Sequence, residues 1–378
     1  MLLNSDDYRR RAKLVLPRFA FDYLDGGAES ESTMRLNRDV FEKWGFLPKV
    51  LVDCDECDTS VQWLGKTYSS PFAVAPTGYN GMLCNKADEL LATAAGEQNI
   101  PYIQSTVSTS SIEDIGQHKL LNHWFQLYVL RDKSVTESLL QRAIDQGCDT
   151  LVVSVDAVYF GNRERDKRNY AKALKLSLSS YINIAMHPWW VAKVIAPQGV
   201  PSFGNLTPYL PKEYQKGVGA AAYFAEQMDP TLDWSTLSWI RELWKGKLIV
   251  KGIMQEDDAR KAAELGCDGI ILSNHGGRQL DGTISPVEMI ETVRAAVGSD
   301  MLLLVDSGFR RGTDIVKALA LGANGVLIGR PFLYALAAKG KEGSLHVMQT
   351  LQQEVERTLA QLGCKNISEL TKSSLVRL

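Results

Sequence analysis

Eight short apolar runs punctuate the chain, and each ends in polar or small residues. They are FAVAPT (72–77), PYIQST (101–106), HWFQLYV (123–129), TLVVSVD (150–156), KLIVKG (247–252), GIILSN (269–274), LLLVDSG (302–308) and GVLIGR (325–330). Runs that stay apolar without alternation fit strands buried on both faces, as in a parallel sheet. Between them lie stretches of helical period. ADELLATAAGEQN precedes the second run, SVTESLLQRAIDQG the fourth, EDDARKAAELG the sixth and GTDIVKALALG the eighth. Several of these close on Gly just before the next strand, a helix stop signal. Eight strands alternating with helices predict an α/β fold, a (β/α)8 TIM barrel.

The same pattern predicts a single domain over 1–378. Residues 1–70 form a mostly helical N-terminal cap, 71–340 the barrel, and 341–378 a C-terminal helix and tail. In that tail GSLHVMQTLQQEVERTLAQLGC has the stripe of an amphipathic helix. One interval breaks the rhythm. About ninety residues (157–246) separate the fourth and fifth runs, and a connection of that length is functional or disordered. The insertion after strand four falls at about 167–230 within it. Its middle, SYINIAMHPWWVAKVIA (180–196), is aromatic and apolar, and PQGVPSFGNLTPYLP after it reads as loop.

Composition adds exclusions. The 378 residues are 45% hydrophobic and 23% charged, ordinary for a globular protein. A net charge of −2 supplies no bulk positive field, so no nucleic-acid partner is expected. The start, MLLNSDDYRRR, has no long apolar region and does not read as a secretory signal, and no apolar run is long enough to span a bilayer. Six scattered cysteines fit reduced cytosolic thiols. Cys54-x-x-Cys57 lacks a second pair or nearby histidines, so no metal is expected there.

Active residues of such barrels lie at the C-terminal strand ends. Those ends present Pro76, Thr77 and Gly78, then Ser105, Gln126 and Tyr128, Ser154 and Asp156, and Lys251. They continue with Ser273, His275 and Arg278, then Asp306, Ser307, Gly308 and Arg310, and finally Gly329 and Arg330. DSGFRRG and IGRP pair glycine with arginine after the seventh and eighth strands, where these barrels commonly bind phosphate. Guanidinium supplies bidentate donors and glycine lets the backbone approach. Arg311 suits a surface ion pair equally well. His118, His123, His187 and His346 have no comparable context and read as structural.

At this point the chain resembles the FMN-dependent L-2-hydroxy acid dehydrogenase/oxidase family, from about Asp7 to Cys364. SNHGGRQLDG (273–282) is that family's specific signature, and FDYLDGGAESE, APTG, FQLYV, KGI, DSGFRRGTD and IGR follow its order. VYFGNRERD is similar to the mandelate dehydrogenase branch and HPWW…GNLTPYL to the bacterial lactate dehydrogenase branch. The resemblance implies FMN, with its phosphate at Gly308, Arg310, Gly329 and Arg330 and its ribityl chain at Asp306. It places the flavin ring against Pro76, Thr77, Ser105, Gln126, Ser154 and Lys251, with Gly78 and Ser273 also counted among the cofactor-binding residues. Ser154 stands where the family usually has Thr, which keeps the hydroxyl. Arg163 and Arg278, helped by Tyr23, would hold the substrate carboxylate, and Tyr128 the hydroxyl or carboxylate. His275 would be the base and Asp156 its partner. Asp281 would hold the shape of the loop.

Elementary chemistry agrees with these implied roles. Oxidising a 2-hydroxy acid removes two protons and two electrons. Histidine titrates near working pH, an adjacent carboxylate fixes its tautomer, and a planar guanidinium suits a carboxylate better than an ammonium. Gly78 and Val107 match positions that shape the substrate side-chain pocket of the family, and their small size leaves volume for an aromatic or medium-sized L-2-hydroxy acid. Tyr79 or the insertion refilling that space is the opposing reading. The electron acceptor is expected to be quinone or O2, the assembly a homo-oligomer and, by resemblance, a tetramer. The expected location is the cytoplasm, with 181–196, carrying Trp189, Trp190 and Lys193, as the segment that would seat the protein peripherally on the inner membrane. Competing readings are an FMN-barrel isomerase, a phosphosugar lyase with Lys251 as a Schiff-base lysine, and a silent flavin-binding protein.

Overall fold

Each of the eight apolar runs forms one strand of a closed, all-parallel barrel. In the computed structural model, which describes residues 1–119, 122–172, 175–215 and 218–378, these are β1 Phe72–Val74, β2 Tyr102–Ser105, β3 His123–Leu127, β4 Thr150–Ser154, β5 Lys247–Ile253, β6 Gly269–Leu272, β7 Leu302–Val305 and β8 Gly325–Ile328. They neighbour one another in chain order, and β8 closes on β1. The lack of alternation in the sequence has a direct cause. Ala73, Ile103, Trp124, Val152, Ile249, Ile271, Leu304 and Leu327 point into the barrel and fill it, while their neighbours along each strand join the larger core under the helices. Fully burying each large side chain contributes about 1.5–3 kcal/mol.

The N-terminal cap begins with three helices, α1 Ser5–Val15, α2 Arg18–Asp25 and α3 Ser32–Asp39. Asn4 caps α1 by accepting from the amides of Asp6 and Asp7. The cap is less helical than its sequence suggests. Val61–Trp63 and Lys66–Tyr68 pair as a hairpin that plugs the N-terminal end of the barrel with Trp63 and Tyr68. Trp63 Nε1 donates to the Asn324 carbonyl at 3.1 Å. Three-residue strands are too short to show a period.

The C-terminal helix also departs from its expected start. It opens at Arg330, directly after β8, and runs to Leu362 with a break at Lys339 and Gly340. The boundary read at 340/341 is that break. The last residues, Leu375–Arg377, pair antiparallel with Trp44–Phe46, a contact across the whole chain.

The described residues of the insertion form short helices joined by loop. Leu178–Ala185, capped by Ser177, leads through Pro188–Trp190 and a π turn at Val191–Ile195 to loop, and Val218–Gln227 forms a further helix. Trp234–Leu243 then takes the ordinary place of the helix before β5. Polar anchors tie the insertion over the C-terminal mouth. Trp190 Nε1 donates to Met82 O and Gln198 Nε2 to Gly81 O, both at 2.8 Å. Tyr79 donates from its hydroxyl to Pro201 O at 2.9 Å, and Asn205 Nδ2 to Ser105 O at 3.1 Å. No helix among the described residues is long and apolar enough to cross a membrane.

Candidate active site

β6 ends at Leu272, and the chain turns back over the barrel mouth through Ser273–Gly282. His275 sits in the left-handed region at φ 58°. That conformation costs a residue with a Cβ roughly 1–2 kcal/mol, so the surroundings must impose it. Ser273 Oγ accepts from the His275 amide at 2.9 Å, and Ser307 Oγ accepts from the Gly276 amide at 3.0 Å. Asp281 staples the far side of the loop to the start of α3, accepting from Ser30 Oγ, the Ser32 amide and the Thr33 amide at 2.8–3.2 Å. Partial burial works against its charge, yet these donors hold its carboxyl well below the usual range.

The ring of His275 is held from both sides. Nδ1 lies 3.1 Å from each carboxylate oxygen of Asp156, and Nε2 lies 3.2 Å from the Tyr128 hydroxyl. Burial raises the Asp156 carboxyl, but His275 and Lys251 outweigh it and hold it below its ordinary value. An ionised carboxylate only accepts, so Nδ1 carries a proton, and the ring is turned with Nε2 toward the Tyr128 hydroxyl. Burial pushes the Tyr128 phenol up, so it stands there as a neutral donor.

Lys251, at the end of β5, is buried. Its Nζ donates to Ser273 Oγ at 2.7 Å and pairs with Asp306 at 3.0 Å. Burial lowers its pKa, but Asp306 and Asp156 more than reverse this. The side chain is an ammonium, which is the wrong state for a Schiff-base nucleophile. That removes the physical ground for the phosphosugar-lyase reading.

Across the cavity Arg163 and Arg278 bracket the ring of Tyr23, their guanidinium carbons 5.9 and 5.0 Å from its centroid. Arg278 Nη1 is fixed by the carbonyls of Tyr23 and Gly26 at 2.7 and 2.9 Å, and the Tyr23 hydroxyl donates to Gly78 O at 3.2 Å. Burial and the neighbouring Arg163 lower the Arg278 pKa.

These groups share one cavity of about 470 Å³. Of the residues the sequence singled out, Tyr23, Pro76, Thr77, Gly78, Ser105, Val107, Tyr128, Arg163, Lys251, His275, Arg278, Asp306, Gly308, Arg310, Gly329 and Arg330 line it. Gln126, Ser154, Ser273 and Asp156 do not, and each stands against a residue that does. Gln126 accepts from Ser105 Oγ at 2.8 Å, Ser154 is beside Lys251 in the sheet register, and Ser273 and Asp156 hold Lys251 and His275. Arg311 pairs with Glu354 at 2.7 Å, as a surface residue would.

The donor set fits FMN. Arg310 and Arg330 are largely enclosed and neither is in ion-pair reach of a carboxylate among the described residues. Burial pushes the Arg330 guanidinium down to about 10, so an anion there is favoured. The Gln126 amide nitrogen and the Ser154 hydroxyl are buried with no hydrogen-bond partner among the described residues, two donors that suit a flavin edge. Gly308 is required by packing. At φ +95° a Cβ there would collide with the Asn37 carbonyl.

Gly78 was expected to leave volume for the substrate, but a Cβ there would run into Val107 Cγ2, so Val107 itself takes that space. The insertion then supplies the remaining wall, with Phe203 and Phe224 lining the cavity beside Phe160. Their rings touch in sequence, Phe160 to Phe224 at 6.1 Å and Phe203 to Phe224 at 6.0 Å, and Phe224 reaches Tyr128 at 5.9 Å. Nothing local in the sequence marks these two insertion residues. Gln279 was also missed. It ties the loop after β4 to the signature loop, donating to Asp156 O and Tyr159 O and accepting from the Gly161 amide at 2.7 Å. Its place within SNHGGRQLDG was the available signal.

With this geometry in place, the comparisons with known proteins are consistent throughout. The FMN-dependent dehydrogenase profile matches residues 12–377. The chain is 42% identical over 375 residues to (S)-mandelate dehydrogenase of Pseudomonas putida, covering 99% of this chain and 94% of that one. It is 38% identical over 379 residues to L-lactate dehydrogenase of Alcaligenes faecalis, covering 100% and 99%. A solved monotopic membrane protein, an (S)-mandelate dehydrogenase, aligns with TM-score 0.95 at 42% identity over all of both chains. A mandelate oxidase solved with (S)-2-phenylpropionate aligns with TM-score 0.81 at 32% identity, over 100% of this chain and 99% of that one.

Proposed function

The chain belongs to the FMN-dependent dehydrogenase family, and on that premise we propose that it oxidises an L-2-hydroxy acid with an aromatic or medium-sized side chain, of the mandelate or lactate kind, to the 2-keto acid. The observation that carries the reading is one cavity with a His–Asp pair facing two guanidiniums. Bound FMN supplies the two-electron acceptor that the oxidation requires. Arg310, Arg330, Gly308, Gly329 and Asp306 hold the cofactor's phosphate and ribityl end. Pro76, Thr77, Ser105, Gln126, Ser154 and Lys251 border its ring.

Arg163 and Arg278 grip the substrate carboxylate, and Tyr128 donates to the hydroxyl or carboxylate. This turns the carbon bearing the hydroxyl toward His275 Nε2, which takes one of the two protons leaving the alcohol. Asp156 stabilises the imidazolium. Lys251 provides fixed positive charge as negative charge enters the cavity. Phe160, Phe203 and Phe224 offer ring faces to the side chain, which supports a phenyl-bearing substrate. In anaerobic additions to the yellow protein, (S)-mandelate is expected to bleach the flavin fastest, L-lactate more slowly and glycolate slowest. A glycolate preference would reverse the substrate assignment, and no bleaching by any of them would end the reading.

A second part of the proposal concerns location and acceptor. Leu178, Tyr181, Ile182, Met186 and Trp189 are exposed on consecutive short helices of the insertion, with Trp189 at 69% and Leu178 at 76%. A contiguous apolar face of this kind seats a protein in a lipid interface, and Lys193, over the Trp189 ring at 4.9 Å, adds a basic partner for phosphate headgroups. That a 42%-identical relative is a monotopic membrane protein supports a peripheral membrane seat, which we place on the inner membrane. Quinone is then the oxidant nearest to hand, with O2 as the alternative acceptor. The assembly we propose is a homotetramer, on the family resemblance.

The whole segment cannot be deleted cleanly, because Trp190 and Gln198 anchor the wall beside the cavity. Replacing Ile182, Met186 and Trp189 together by Ser is expected to move the enzyme from the membrane fraction to the supernatant while hydroxy-acid bleaching persists. An unchanged distribution would remove this face from consideration.

A further inference from the structure

Arg163 and Arg278 bring two positive charges to one end of the cavity, and a carboxyl group beside them has no role in the reaction described above. Asp166 lies three residues after Arg163 on the short helix Glu164–Lys167, and it lines the same cavity. Its Oδ2 is 3.7 Å from Arg163 Nη1, within ion-pair range but beyond a hydrogen bond. Its Oδ1 is buried and accepts from no described residue. The neighbouring acids on α2 are far better served. Asp25 takes Arg9 at 2.6 Å, the Tyr334 hydroxyl at 2.6 Å and Arg165 at 2.9 Å, and Asp22 takes Asn169 Nδ2 at 2.9 Å and Arg165 at 3.5 Å. Asp25 is completely paired, and neither it nor Asp22 lines the cavity.

The charged and titratable groups around Asp166 come from four directions. They are Arg163 and Arg165 on its own segment, Asp22 and Tyr23 from α2, Arg278 from the signature loop, and Tyr170 from the insertion. Burial raises its carboxyl and Asp22 adds to this, while the three guanidiniums oppose, with a net rise.

We propose that Asp166 is the counter-charge of the carboxylate-binding pair: it offsets part of the positive potential of Arg163 and Arg278, weakens their hold on substrate and product carboxylates, and takes up a proton when such an anion binds. The inference rests on the reading of those two arginines given under Proposed function. Two carboxylates facing the same pair of guanidiniums repel, and protonating one relieves the repulsion. The protonated form of Asp166 therefore binds a carboxylate ligand more tightly, and affinity falls as pH rises through its pKa. Holding the product less tightly favours its departure, a step that often limits turnover. Asp166 acts through the arginines and is a positioning residue for charge.

The test uses the full-length, FMN-loaded protein with benzoylformate, a 2-keto acid, and its uncharged amide, by calorimetry in two buffers of different ionisation heat. The wild type is expected to take up protons with benzoylformate and not with the amide, and to lose affinity for benzoylformate as pH rises. Asp166→Asn is expected to bind benzoylformate more tightly at neutral pH, on the order of tenfold for a like charge at this range, with the proton uptake gone. A proton taken by His275 would instead persist in Asp166→Asn and disappear in His275→Gln.

Weaker binding by Asp166→Asn, with unchanged proton uptake, would make Asp166 a mere prop for Arg163 and overturn the proposal. Should that variant fail to fold, His275→Gln decides, since uptake that vanishes with His275 overturns it, as does equal uptake by the wild type with acid and amide or none with either. A wild type that binds neither ligand and is bleached by no hydroxy acid sinks the parent reading as well.

Discussion

His275→Gln is expected to slow flavin reduction by an L-2-hydroxy acid by about 10²–10⁴-fold, the range that a positioned general base supplies, while the flavin stays bound. Glutamine keeps polarity and approximate length but has no lone pair that titrates near neutrality. The side chain replaced is strongly prearranged. Asp156 meets Nδ1 with both oxygens at 3.1 Å, Tyr128 meets Nε2 at 3.2 Å, and the backbone is held at φ 58° by the Ser273 and Ser307 hydroxyls. FMN retention is expected because the phosphate-end residues Arg310 and Arg330 belong to other strands. Anaerobic stopped-flow bleaching measures the step directly. Reduction within threefold of the wild-type rate, in a variant with full flavin, would remove His275 from the chemistry.

The second large effect is at Arg278. Arg278→Lys keeps the charge, yet kcat/KM is expected to fall by about 10²–10³-fold, the scale of a buried charge pair losing its partner. Two donors of the guanidinium face already serve the Tyr23 and Gly26 carbonyls, which fixes the plane and leaves the remaining edge for a carboxylate. A lysine ammonium is a point charge on a flexible stem and cannot satisfy both carbonyls and the substrate together. The loss should appear mainly in KM for the hydroxy acid if the contact is equal in ground and transition states, and in kcat as well if it aligns the reacting carbon. Steady-state kinetics with (S)-mandelate separates these. An unchanged kcat/KM would mean that the carboxylate is bound elsewhere.

The contrast between what was legible along the chain and what was not has a simple pattern. The eight strands are legible because a strand buried on both faces must be apolar at every position, and the cores inside and outside the barrel impose that independently. The polar strand ends are legible for the opposite reason, since a (β/α)8 barrel exposes only that rim to ligand. The hairpin that carries Trp63 and the terminal strand that joins Trp44–Phe46 are not legible. Their three-residue strands have no measurable period, and the second pairs residues from opposite ends of the chain.

The same division runs through the site. SNHGGRQLDG and the other strand ends supply His275, Asp156, Arg278, Arg310 and Arg330, because each follows a strand whose place in the barrel is set by chain order, while Arg163 is reached only through the family resemblance. Three features needed the tertiary structure. Val107 fills the space that Gly78 leaves, Phe203 and Phe224 arrive from the insertion to line the cavity, and Asp166 faces the arginine pair with one oxygen unserved. By itself, then, the sequence determines the barrel and the polar residues that gather at its mouth, since these depend on periodicity and on position along strands, and its motifs carry the resemblance from which the reaction class follows. The tertiary structure alone decides the shape of the cavity wall and the charge balance around Arg163 and Arg278, since both depend on distances between segments that no local pattern records.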